Sequence, residues 1–271
     1  MTDPRIETLI QRLEAWFADC DSALVAFSGG IDSALVAFLA RRWLGRDRCL
    51  AVVGSSASLK SRDLQAARDF ATEHDIRLEV VPTGELDDPV YRSNPEDRCF
   101  HCKSELYRRL EDVRTRHAVQ MILGGENADD QGDYRPGLRA VERFGVRGPL
   151  AECGATKDEL RAIARHFGLQ IWDKPASPCL SSRIPYFQEV TAAKLERIER
   201  GETWLEQRGF PVARVRHPGA GARIEVPPAR IGDLRRLEAE LVEIFAGLGF
   251  EQVEIDPEGF VSGKLNRALE E

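Results

Sequence analysis

Short apolar runs alternate with amphipathic stretches through the first two thirds of the chain. Ile6, Leu9, Ile10, Leu13, Trp16 and Phe17 recur at helical spacing. Pro4 suits a first helical turn, so the pattern predicts a helix over 4–17. Apolar runs at 22–27, 49–53, 78–81 and 119–123 read as buried strands. The stretches 32–44, 61–73 and 101–115 between them read as helices. Thr156 to Glu159 form a capping box that opens a further helix to Phe167. This alternation predicts an α/β fold, a parallel sheet with helices on both faces.

The texture changes after Phe167. The segment from Asp173 to Phe187, DKPASPCLSSRIPYF, is rich in proline and serine and reads as a loop. Downstream the pattern predicts a helix over 191–207, strands over 212–216 and 223–226, a helix over 230–246 and a strand over 251–255. Gly219-Ala220-Gly221 joins two of these strands and reads as a hairpin turn. These elements form a small α+β unit. The domain boundary is placed near Tyr186, giving domains of 1–185 and 186–271.

The chain has 271 residues, enough for one large domain or two smaller ones with a sizeable core. Its longest apolar run, Ala34 to Ala40, is far short of a bilayer span. The N-terminal MTDPRIETLI lacks a signal-peptide pattern. No membrane association is expected, and the expected compartment is the cytoplasm. The 6 cysteines are therefore read as core residues, metal ligands or nucleophiles rather than disulfides. The net charge is −7, and both predicted domains are acidic. That argues against a nucleic-acid partner, which calls for a basic face.

The most informative stretch is Phe27 to Leu35, FSGGIDSAL. It falls where a strand ends and a helix begins. Gly29 and Gly30 allow close backbone approach, and Ser28 and Ser33 offer hydroxyls. The free N–H groups of a new helix favour an anion. This is neither a Walker A loop nor a GxGxxG loop, but in this context it reads as a phosphate cradle.

Cys179 lies in a polar loop, with Arg183 and Lys174 close in sequence. Nearby cations raise the thiolate fraction of a cysteine. On these facts alone an inert loop cysteine is the more ordinary reading. Cys99 and Cys102 form a Cys-x-x-Cys, whose spacing suits a metal, a cluster or a redox pair. With Cys179 as a third thiolate, the set would suit an iron–sulfur cluster with an open position. Structural zinc and a redox disulfide remain open. Cys20 and Cys49 read as structural, and Cys153 is undecided.

The string Ser-Gly-Gly-Ile-Asp-Ser resembles the PP-loop of the ATP pyrophosphatase superfamily. Further segments resemble one branch of it, the LarE sulfur transferases. These are NPEDRCFHCK (Asn94 to Lys103), GENADDQGDYRPGL (Gly125 to Leu138), GPLAECGATKDELRAIARHFGL (Gly148 to Leu169), WDKPASPCLSSRIPY (Trp172 to Tyr186) and ARVRHPGAGARIEV (Ala213 to Val226). The resemblance covers nearly the whole chain.

It implies a Rossmann-like parallel sheet of the adenine nucleotide alpha-hydrolase type with a smaller C-terminal α+β domain. It also implies ATP at Ser28, Gly29, Gly30, Asp32 and Ser33, with Asp32 near the phosphates as a Mg²⁺ or loop-positioning carboxylate. The implied substrate is pyridinium-3,5-biscarboxylic acid mononucleotide, and the implied product is the precursor of a nickel-pincer cofactor. Cys179 would displace AMP from the adenylated carboxylate. In three-cysteine members a 4Fe-4S cluster carries the sulfur instead, here on Cys99, Cys102 and Cys179. Arg183, Arg214 and Arg216 would hold substrate anions. Glu202 and Asp233 match acidic positions of the substrate site, although on the residues alone each reads as an ordinary helix charge. Glu126, Asp129, Asp130 and Asp133 either reach the nucleotide or Mg²⁺, or simply cap a helix. A homo-oligomer is implied.

Two other functions compete. A tRNA thiolase with a CxxC-bound cluster calls for a basic surface. A nonenzymatic adenine-nucleotide-binding protein would be indifferent to Cys179.

Overall fold

In the computed structural model, which describes residues 3–130, 136–173, 177–261 and 264, the chain divides into two compact units. Met1–Glu85 with Asp97–Ser177 form the first, and Leu86–Glu96 with Pro178–Glu271 form the second. The elements in chain order are α1 (Pro4–Ala18), β1 (Ala23–Ala26), α2 (Ile31–Leu44), β2 (Cys49–Ser55), α3 (Ser61–Glu73), β3 (Leu78–Pro82), α4 (Pro89–Arg92), α5 (Arg98–Arg116) and β4 (Met121–Leu123). They continue with α6 (Gly137–Arg143), α7 (Pro149–Glu152), α8 (Lys157–His166), α9 (Ala192–Gln207), β5 (Arg214–Arg216), β6 (Ala222–Glu225), α10 (Ile231–Arg235), α11 (Glu238–Gly247) and β7 (Val253–Ile255).

The first unit holds an all-parallel sheet in the order β3-β2-β1-β4. Such a sheet is buried on both faces, so its strands read as continuous apolar runs. On β1, Ala23 and Val25 join the core that holds Leu9, Leu13, Leu35, Leu39, Leu160 and Ile163. Leu24 joins the opposite core with Leu50, Val52, Tyr107, Leu110 and Ile122. The α/β class expected from the sequence is the one observed. The capping box also forms: Thr156 N donates to Glu159 Oε2 at 2.9 Å, and Thr156 Oγ1 accepts from Glu159 N at 3.4 Å.

The second unit holds a smaller sheet in the order β5-β6-β7. β5 and β6 are antiparallel, and Gly219 at φ +60° makes the turn between them, as its sequence suggests. β6 and β7 are parallel.

Two helices differ most from the expectation. The helix expected over 230–246 is broken. Arg236 N bonds to Asp233 O, and Leu237 N to Leu234 O. These i to i−3 bonds tighten the turn and end α10 before α11 begins. The helix expected to open at His101 starts at Arg98 instead, so Cys99 and Cys102 both lie in its first turns.

Candidate active site

The strand order reverses beside β1: β2 and β3 lie on one side of it and β4 on the other. In open parallel sheets, ligands bind outside the carboxyl ends of the strands at this switch point. The SGGIDS segment occupies that place, between β1 and α2. Gly29 adopts φ +71°, and a Cβ there would meet Asp63 O at 3.3 Å. Ser28 and Ser33 lock the turn through hydroxyls 3.0 Å apart, and Ser28 N donates to Ser33 Oγ at 3.1 Å. Gly30 caps α2 without a side chain. The first N–H groups of α2 therefore face a place where an anion can sit.

Asp32 lies in the first turn of α2. Its Oδ2 accepts from Lys157 Nζ, while its Oδ1 is buried with no hydrogen-bond partner among the described residues. A buried carboxylate oxygen left in this state has the donor chemistry for Mg²⁺.

The loop after β4 supplies the other wall. A Cβ on Gly125 would stand 2.8 Å from Ser33 N and 3.1 Å from Ser33 Cα, so only glycine lets the two backbones touch. Glu126 Oε1 accepts from Lys103 Nζ at 3.0 Å, and its Oε2 is buried without a hydrogen-bond partner among the described residues. Asp130 Oδ2 accepts from Asn127 N at 3.0 Å. Asp129 Oδ2 accepts from Lys157 N at 2.7 Å and so caps α8. Asp133 and Lys174 lie outside the described residues. Lys157 and Gly125 contribute to this site although the sequence does not single them out. Along the chain Lys157 reads only as part of a capping box, and Gly125 only as the start of a matching segment.

In the second unit Cys179 is exposed and precedes a 3-10 turn, Leu180–Arg183. Its carbonyl accepts from Ser182 N at 3.0 Å and from Arg183 Nη1 at 3.1 Å. Arg183 is fully buried. It grips Glu202 through Nε at 2.7 Å and Nη2 at 3.1 Å, and its Nη1 also reaches Pro178 O at 2.9 Å. A two-pronged guanidinium–carboxylate pair of this kind fixes orientation as well as distance. Glu202 Oε1 further accepts from Val215 N at 3.1 Å, which ties α9 to β5. The turn thus rests on a buried ion pair and turns its thiol outward.

Arg214 and Arg216 share one face of β5. Arg214 is buried, with its guanidinium 5.1 Å from the Phe260 ring centroid. Arg216 donates to Glu225 Oε2 at 3.0 Å and to Ser182 O at 2.8 Å. Asp233 sits between Arg230 and Arg236 at the surface. The Arg230 hydrogen bond holds its carboxyl below the usual range, with Arg236 adding to the lowering.

Cys49 is buried, and burial pushes its thiol up to about 12. Burial also raises the buried Cys20 and the half-buried Cys153. None of the three has the character of a thiolate nucleophile. Cys99 is exposed and Cys102 half-buried, one helical turn apart in the first unit. Among the described residues no group of three or more His, Cys, Asp and Glu side chains is gathered for a metal ion.

A phosphate cradle at the switch point of a parallel sheet, with a carboxylate beside it, is the arrangement of a PP-loop ATP pyrophosphatase. The NAD synthase family model matches residues 6–128, which span the cradle. The chain is 37% identical over 257 residues to the pyridinium-3,5-bisthiocarboxylic acid mononucleotide synthase of Lactiplantibacillus plantarum, covering 95% of this chain and 93% of that one. It is 43% identical over 266 residues to an uncharacterized protein of Synechocystis sp., covering 97% and 99%. The ammonia-dependent NAD synthetase of Chlorobaculum tepidum is 27% identical over 162 residues, covering 58% and 57%. The protein is an enzyme of the PP-loop ATP pyrophosphatase type. It belongs to the LarE family, that of the Lactiplantibacillus plantarum synthase.

Proposed function

We propose that this enzyme uses ATP to convert a carboxylate of pyridinium-3,5-biscarboxylic acid mononucleotide into a thiocarboxylate. The observation that carries the reading is the exposed Cys179 on a turn fixed by the buried Arg183–Glu202 pair, in a chain with a PP-loop. A carboxylate is a poor electrophile. Its oxygen attacks the α-phosphorus of ATP, pyrophosphate leaves, and an acyl-adenylate results. The Cys179 thiolate then attacks the acyl carbon and AMP departs, leaving a thioester.

The first helical N–H groups of α2, Ser28, Gly29, Gly30 and Ser33 are assigned to the phosphates. Asp32 and its unpartnered oxygen are assigned to Mg²⁺, which would neutralise phosphate charge. Arg214, Arg216 and Asp233 are assigned to the pyridinium nucleotide. Arg183 and Glu202 are assigned to holding Cys179 beneath its turn.

Sulfur can reach the product by two routes. In one, the Cys179 Cβ–S bond breaks with loss of the α-proton, leaving dehydroalanine in the protein and sulfur on the product. In the other no thioester forms: Cys99, Cys102 and Cys179 would hold a 4Fe-4S cluster, which would supply an extra sulfide to the acyl-adenylate in place of the Cys179 sulfur, with AMP as the leaving group. The Cys-x-x-Cys pair at the start of α5 supports the second route. A cytoplasmic homo-oligomer completes the reading. No helix among the described residues is long and apolar enough to cross a membrane, and the net charge of −7 gives no support to a tRNA substrate.

The test is Cys179→Ala with ATP and the biscarboxylate nucleotide. Pyrophosphate release should persist and thiocarboxylate should vanish; full sulfur transfer would refute the assignment. Intact mass after turnover separates the routes: a loss of about 34 Da, one H₂S, marks the sacrificial route. An unchanged mass over several turnovers, with cluster absorbance that Cys99→Ala abolishes, marks the other.

A further inference from the structure

The turn that carries Cys179 is held from a second direction, by the segment 86–96 of the same unit. The Tyr91 hydroxyl lies 2.7 Å from Ser181 Oγ, and both residues are buried. Asn94 is fully buried at φ +59°, a conformation that asparagine tolerates better than most residues. Its Nδ2 donates to Pro185 O at 2.6 Å and to Ile184 O at 3.3 Å. Its carbonyl accepts from Phe187 N at 2.9 Å, and Arg92 O accepts from Val190 N at 2.8 Å. The opposite side is held by Arg183 on Pro178 O and Cys179 O, by Arg216 on Ser182 O, and by His217 N on Arg183 O. The backbone around an exposed thiol is thus pinned largely by buried side chains, those of Asn94 and Arg183 among them.

A loop that only had to connect two elements would not require this. A nucleophile that must meet an acyl carbon held elsewhere does require it, because a misplacement of about 1 Å can cost on the order of a hundredfold in rate. We propose that Tyr91 and Asn94 are positioning residues for Cys179, acting through Ser181 and through the Ile184 and Pro185 carbonyls. The proposal rests on the reading of Cys179 as the sulfur-delivering nucleophile.

The test compares Tyr91→Phe and Asn94→Asp with the parent enzyme, using ATP and the biscarboxylate nucleotide. Tyr91→Phe removes one oxygen, and Asn94→Asp keeps shape but loses the amide donors. The quantity read is thiocarboxylate formed per pyrophosphate released. It should fall about tenfold or more in each variant, while the rate of Cys179 alkylation by iodoacetamide stays at the parent value.

Parent-like coupling in Tyr91→Phe overturns the proposal, whether or not Asn94→Asp folds. A parallel loss of coupling and alkylation also overturns it, because that marks general unfolding of the turn. If the parent enzyme itself transfers no sulfur to this substrate, the reading of Cys179 fails and the proposal falls with it. That outcome is recognised without any variant.

Discussion

Lys157 Nζ donates to Oδ2 of Asp32, while Oδ1 of the same carboxylate is buried with no hydrogen-bond partner among the described residues. An acidic side chain inside a phosphate cradle opposes the ligand's charge unless a cation accompanies it. Lys157 supplies one cation, and the second oxygen is available for another. Asp32→Asn should therefore lower ATP-driven pyrophosphate release by roughly a hundredfold, the scale of losing one electrostatic contact at a reacting centre. It should also raise the Mg²⁺ concentration needed for half-maximal rate. Titrating pyrophosphate release against Mg²⁺ checks both. A variant with an unaltered Mg²⁺ dependence would remove Asp32 from the metal's surroundings.

Gly125→Ala should damage nucleotide binding without touching a nucleotide. The added methyl would stand 2.8 Å from Ser33 N, so the loop after β4 must move away from the start of α2. Overpacking of this kind costs about 1–3 kcal/mol, and ATP affinity should drop by about tenfold or more. Gly247→Ala is the control. It lies at the end of α11, and its Cβ would meet nothing within 4 Å. Calorimetric ATP titrations of both variants decide the matter, and equal affinities would refute the close-approach argument.

The parts of this molecule that sequence discloses are those set by neighbours along the chain. The glycines and serines of Ser28 to Ser33 announce a cradle because strand, turn and helix start lie within a few residues. The capping box at Thr156 and Glu159 is equally local. Pairings between distant residues are not legible in this way. Lys157 meets Asp32 across 125 positions and Tyr91 meets Ser181 across 90. Nothing in the periodicity of 86–96 assigns that segment to the unit built around β5. Glu202 is an instructive middle case. On the residues alone it reads as an exposed helix charge, yet it is buried against Arg183. A signal is present: Leu195, Ile198 and Leu205 flank it at helical spacing on the buried face of α9. A charge on an apolar face calls for a buried partner.

The six cysteines should separate by reactivity. Cys49 is buried, with its thiol pushed up to about 12. Against an ordinary thiol near 8.5, its thiolate fraction at pH 8 is lower by about a thousandfold or more. Limited iodoacetamide treatment of the native protein should label the exposed Cys179 and Cys99 and spare Cys49 and Cys20. Peptide mass analysis reads the sites. Early labelling of Cys49 would contradict its place in the core between β2 and α2.

His217 sets an acid limit on the fold. Its ring is buried and packs 4.8 Å from Phe250, and its backbone N–H holds the Arg183 carbonyl. Burial, with Lys194 and Arg197 adding to it, keeps the imidazole below its ordinary value of 6.5. The unfolded chain therefore binds this proton more readily than the folded one. Stability from this group is present above about pH 6.5 and is lost as pH falls below it. Replacing the residue by an apolar ring of similar size, His217→Phe, removes that proton site. The melting temperature of the parent should fall more steeply between pH 7.5 and 5.5, the range spanning the ordinary histidine value, than that of the variant. Thermal melts of both proteins at several pH values measure the difference. Identical slopes would mean that His217 binds its proton as readily in the folded protein as in the unfolded chain, contrary to its buried setting.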